Sequence, residues 1–298
     1  MAATETTVTN IITGENPANK SLQQMAFGVL LNNMGLFNND DVANLYPLKM
    51  NLTDTLIEHV AHGRQDEAKA ILVKFPELLL ETGTAIDIAG NQFTGTAFQY
   101  AVWAMDTYMY TMMLDCLPQN DQGEAIRKGL LEQAKAQKEH FDFQPLITAL
   151  KTYVDSFDAW DWPQREEHWC KAVGGAQRRL PAHVRHEYCN PDRPFYPVPS
   201  FTEKVLTRSL RFYNWGASAW QNWSADVLGL GSDFAILSAA ARSKALSECY
   251  RRPAGFDLAA ITALCKVRLA DVTSLKQRLQ IPIQKPDNVQ DAAGPMIP

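Results

Sequence analysis

Two stretches decide the fold: LTDTLIEHVAHGRQDEAKAILV (52–73) and, further on, TAFQYAVWAMDTYMYTMMLDCL (96–117). In the first, Leu56 to Ala61 reads as a short helix that stops at Gly63, where a residue without a Cβ admits the turn. Asp66 to Val73 then predicts a second helix, with Ala68, Ile71 and Leu72 recurring on one side. In the second stretch Thr96 is placed to cap a helix over Ala97 to Ala104, and Tyr108 to Leu117 completes another pair after Asp106. A loop with Gly83, Asp87 and Gly90 joins the two pairs, residues 91–95 read as an insertion, and strand is conceivable only near 84–88.

Working outward, helix remains the dominant signal. Asp121 to His140 is built from Ala, Leu, Gln, Glu and Lys, which lose little on entering a helix. Leu146, Leu150, Tyr153 and Phe157 recur at helical spacing, as do Leu206, Leu210 and Tyr213, and residues 233–249 are rich in Ala. Asp257 is placed to cap a further helix whose apolar side is Ile261, Leu264, Val267 and Leu269. Phe212, Trp215, Ala219 and Trp223 form a stripe that reads as helical core. Pro191, Pro194, Pro197 and Pro199 interrupt the pattern, and Gly229-Leu230-Gly231 follows no strand, so it reads as a turn between helices. The expectation is an all-α protein: a mobile arm (1–20), helical hairpins (21–118), a multi-helix domain (119–282) and a flexible tail (283–298). Two hairpins leave an apolar face uncovered, so they are expected to pack on the later helices.

Ala61, Gly63, Ala68, Leu72, Gly83, Asp87, Gly90, Thr96 and Ala101 match a known pattern. Paired helices with a Gly-containing loop resemble ankyrin repeats over about two repeats, with Asp106 standing where such repeats prefer Gly. That resemblance implies a protein partner, bound through Asp87, Gln99, Trp103 and Asp106. Together with the block from Trp169-Cys170-Lys171 through Pro181-Ala182-His183 to Glu187-Tyr188-Cys189, the layout also looks like helical effector proteins of intracellular bacterial pathogens. This implies a protein bound in a host cell.

Composition narrows the classes further. The net charge of -5 is split: residues 1–160 hold 20 acidic and 10 basic side chains, and 161–298 hold 13 and 18. Such a division suits two surfaces with different partners, and the overall acidity gives no strong nucleic-acid signal. No apolar run approaches the ~18–20 residues of a membrane span. No secretory leader is expected around Lys20. Five cysteines without a Cys-x-x-Cys pair fit a reducing, cytoplasmic setting.

Chemistry, if present, is expected at 165–200. His183 and Glu187 are four apart, so on a helix the carboxylate could orient the imidazole. Arg178, Arg179, Arg185 and Arg193 are the candidate phosphate-binding groups. That set would suit phosphoryl or nucleotidyl transfer with a nucleotide as cofactor or substrate. His-x-x-x-Glu is similar to a motif of AMP-transferring bacterial toxins, in which a distant serine, here Ser156 or Ser200, joins the pair. His183, His186 and Cys189 match no standard zinc spacing, and nearby arginines disfavour a cation, so no metal is expected. The competing reading is structural, a helix end packed beneath the proline-rich loop. Enzymatic activity is left open, with protein interaction as the first reading.

Overall fold

The structure is a computed structural model and describes residues 51–190, 195–214, 219–223 and 251–283. It is mostly helical, with two small two-stranded antiparallel sheets among the described residues. The arm at 1–20, the glycine pair at 229–231, the helix expected at 233–249 and nearly all of the C-terminal tail lie outside the described residues.

Residues 51–61 (α1) and Gln65–Leu72 (α2) form the first helical pair. Gly63 takes φ 71° between them. A Cβ there would sit 2.8 Å from His186 Nε2 and 2.9 Å from the Ala182 Cβ, so the turn needs glycine for space as well as for conformation. After a 3-10 turn (Pro76–Leu80), β1 (Gly83–Ile86) pairs with β2 (Gln92–Gly95). The stretch read as an insertion thus holds the second strand of a hairpin, Gln92–Gly95. The Asp87 carboxylate accepts from the backbone N–H of Ala89 and Asn91 and closes its tip.

The second pair is α3 (Ala97–Trp103) and α4 (Thr107–Asp115). Thr96 and Gln99 make a reciprocal capping box, which fixes where α3 starts. Here it is Met105 that enters the left-handed region, at φ 57°, while Asp106 caps α4 by accepting from Met109 N–H at 3.0 Å.

Next come α5 (Asp121–Ala136) and α6 (Gln144–Ser156). A longer helical path comes after them: α7 (Trp162–His168), a π-helical turn (Trp169–Gly174) and α8 (Gly175–Gln177). Beyond it lies α9 (Ala182–Cys189), every residue of which is buried.

The chain then departs from the helical reading. Residues 201–210 contain no helix, and β3 (Arg211–Asn214) pairs with β4 (Ala219–Asn222). The aromatic stripe expected to be helical is thus a second hairpin, from which Phe212 and Trp223 are buried; Trp215 lies outside the described residues. The last described helix, α10, spans Arg251–Arg278. Asp257 falls inside it and is no cap, because Pro253 in the first turn is compatible with helix. Its inward side is Ile261, Leu264, Arg268, Val272 and Leu275, whereas Leu269 is exposed.

A single buried cluster runs from Leu56 in α1 to Leu279 after α10, so both helical pairs and the later helices share one core. No described helix is long and apolar enough to cross a membrane. No disulfide joins Cys116, Cys170, Cys189 and Cys265.

Candidate functional site

α9 lies against the turn of the first helical pair and carries His183, His186 and Glu187 inward. His183 and Glu187 are each 0% exposed. The hydrogen bond expected between them is not formed: neither His183 nitrogen has a hydrogen-bond partner among the described residues. Glu187 instead faces Arg268 of α10, with Oε1 3.4 Å from Nη2. Arg268 also donates to Tyr108 Oη, the Phe201 carbonyl and Asp271, and its guanidinium lies over the Tyr108 ring. Burial pushes the His183 pKa down to about 3 against the pull of Asp106, and that of His186 to about 4. Both imidazoles are neutral at pH 7. His186 Nδ1 bonds the Ser209 carbonyl at 3.0 Å.

The residues expected to bind a partner or phosphate separate into two groups. Asp106 is buried, and Arg208 donates to both its carboxylate oxygens at 3.1 Å. Burial, the largest single effect, raises the Asp106 carboxyl, but Arg208, His183 and the Met109 N–H together outweigh it and hold the group below the usual carboxylate range. Gln99 is occupied in the cap of α3, and Asp87 in the hairpin tip. Arg185 is buried and donates to the carbonyls of Leu180 and Arg178, with its guanidinium 5.6 Å from the centre of the Trp223 ring. Arg193 lies outside the described residues. Of the candidate serines, Ser156 ends α6 and Ser200 pairs with Thr202.

Trp103, Arg178 and Arg179, by contrast, meet on one open groove of about 1010 Å³. One wall is a face of α6, with Pro145, Thr148, Ala149 and Thr152 at helical spacing. The opposite wall is the path from His168 through the π turn to Arg179, and Ala89 and Asn91 of the hairpin tip form an end. Trp103 and Phe141 are stacked edge-on, with centroids 5.9 Å apart, inside a row of rings that continues to Tyr100 and Phe143. Lys171 adds a further cation and is paired with Glu167 at 2.8 Å. Beyond the hairpin tip, Arg178 also lines a second cavity of about 500 Å³ with Arg64 and Arg185.

Comparison with known proteins places this arrangement in a family. The model of the CBUA0006 C-terminal domain matches residues 145–279. The Uncharacterized protein CBUA0006 of Coxiella burnetii (strain RSA 493 / Nine Mile phase I), a pathogen, is 38% identical over 261 residues, covering 78% of this chain and 76% of that protein. The chain belongs to the CBUA0006 family. No solved structure matches it. The CBUA0006 C-terminal domain begins on α6, so it supplies both long walls of the groove, while the preceding helical pair and hairpin supply its end and Trp103.

Sequence reasoning missed Arg268, Arg208 and Phe141 as members of these arrangements, whereas Lys171 lies in the block it marked for chemistry. Arg268 stands in phase with Ile261, Leu264 and Val272, and a charged residue on an apolar stripe is the signal that could have exposed the buried network. Among the described residues, no group of three or more His, Cys, Asp or Glu is placed to hold a metal ion.

Proposed function

We propose that this chain is a protein-interaction protein, and that the groove between α6 and the 168–179 path receives part of its partner. The observation that carries the reading is the groove itself, open to solvent, with an aromatic end and small residues on both walls. Recognition surfaces of this kind combine an apolar anchor site with a polar rim. On the ankyrin-like reading of the helical pairs, hairpin tips and helix faces would be the surfaces that hold a partner. The relationship to a pathogen's protein supports an effector acting on a host protein from the host cytoplasm. Phosphoryl or nucleotidyl transfer by His183 and Glu187 is not favoured, since both groups are enclosed in the core and the carboxylate faces Arg268.

A photo-crosslinking residue at Gln144, exposed on the groove, tests the reading in host-cell lysate. The same residue at Lys128 on α5, 69% exposed, is the control. A discrete adduct from position 144 and none from 128 is expected. Identical adduct patterns from the two positions would overturn the assignment of the groove.

A further inference from the structure

We infer that the partner segment received by the groove is acidic, a short run of Asp and Glu around an apolar or aromatic anchor. The inference rests on the groove being the interaction surface.

The lining is electrically one-sided. Lys171, Arg178 and Arg179 stand on the 168–179 wall and its rim, and Asp142 is the acidic residue among those lining the groove. All three cations are exposed. The Lys171–Glu167 pair lies on the surface, with side chains 70% and 64% exposed, and water screens such pairs strongly, so a partner carboxylate can displace it. Arg178 also lines the second cavity beyond the hairpin tip, where Asp87, Arg64 and the buried Arg185 make the lining mixed, so the cationic strip belongs to the first groove. A protein of net charge -5 thus turns a cationic strip toward this groove.

Shape defines the rest. Ala149 on the α6 wall and Ala172, Gly175 and Ala176 on the other carry nothing beyond a Cβ, which leaves room for a backbone between the walls, and the half-buried Trp103 and Phe141 offer ring surface for one large apolar side chain. At about 1.5 Å per residue the 168–179 wall is about 17 Å long, which matches roughly five extended residues. The Arg179 fork on the rim can take a carboxylate in two-point fashion, and Arg178 adds positive charge beside it.

The test uses the full chain and three fluorescent probes in anisotropy titrations: a peptide of about seven residues with Asp and Glu around a central Phe, its Lys/Arg counterpart, and a single-stranded oligonucleotide. The acidic peptide is expected to bind, more weakly as salt rises. Arg178→Glu with Arg179→Glu should weaken it about tenfold or more, and Thr148→Trp, which fills the groove without altering charge, should do the same. Lys128→Glu with Lys135→Glu, an equal charge change on α5, should leave it within about twofold. Equal binding of the two peptides, preference for the oligonucleotide, or an equal effect of both charge reversals would overturn the inference. The Gln144 crosslink separates the two levels. If Thr148→Trp removes it and the arginine reversal does not, the groove stands and the acidic partner falls. If neither variant removes it, both fall.

Discussion

At the scale of single residues, the interior around α9 ties stability to pH. His183 has a folded-state pKa near 3 and His186 near 4, both pushed down chiefly by burial, against about 6.5 in the unfolded chain. A depressed histidine pKa means the unfolded state takes up protons first as pH falls. The associated stability is fully present above about pH 6.5 and is lost progressively below it. His183 accounts for a loss on the order of 2 kcal/mol by pH 5. His183→Leu, which removes a buried imidazole that has no hydrogen-bond partner among the described residues, should flatten the dependence between pH 7 and pH 5 in urea denaturation; an unchanged slope would exclude His183 as the source. The Asp106–Arg208 pair is the second sensitive point. Arg208→Met leaves the buried carboxylate uncompensated and should cost about 3–5 kcal/mol. Asp106→Leu with Arg208→Met should recover much of that, which denaturant midpoints of the single and double variants will show.

At the scale of elements, the turn at Gly63 and the register of α10 give the clearest expectations. Gly63→Ala places a Cβ against His186 and Ala182 and strains the left-handed turn, at a cost of about 1–2 kcal/mol for the backbone before any displacement of α9. Thermal melting should show it. In α10, Leu264→Ala should cost about 2–5 kcal/mol, and Leu269→Ala less than about 0.5 kcal/mol; the reverse order would refute the register. The sequence announces α2, α3, α5 and α6 closely because each carries its own evidence: apolar positions three and four apart or good helix formers throughout, and for α3 the cap at Thr96. The hairpin of 211–222 does not announce itself. Its strands are four residues long, too short to show alternation, and Phe212, Ala219 and Trp223 fall by coincidence at helical spacing. Asp257 looked like a cap only because the residues before it, Pro253 among them, hide the start of the helix. The groove was half legible: Arg178, Arg179 and Trp103 stood out singly, but its walls come from segments dozens of residues apart, and periodicity carries no information about which helix faces meet.

At the scale of the whole molecule, α10 holds the two ends of the described chain together. Arg268 reaches α4, α9 and the 201 carbonyl. Arg127 of α5 donates to the Leu279 carbonyl and pairs with Glu124 at 2.7 Å, and Glu124 in turn accepts from Ile283 N–H. Because the apolar cluster is continuous from Leu56 to Leu279, neither half can bury its own share. Residues 51–143 and residues 145–279 expressed separately should each lack the dispersed amide spectrum of a folded domain, while the intact chain should melt in one transition. A folded 145–279 fragment would make the CBUA0006 C-terminal domain an independent unit.

The π turn at Trp169–Gly174 bears on how this family can change in length. A π turn is an α-helix with one residue too many, and removing that residue rotates the downstream helix by about 100° relative to α7. Lys171 and the arginines at 178 and 179 would then no longer look out on the same side. Loops can gain or lose residues freely, but a single-codon deletion here would leave the helix intact and the basic strip divided between two faces.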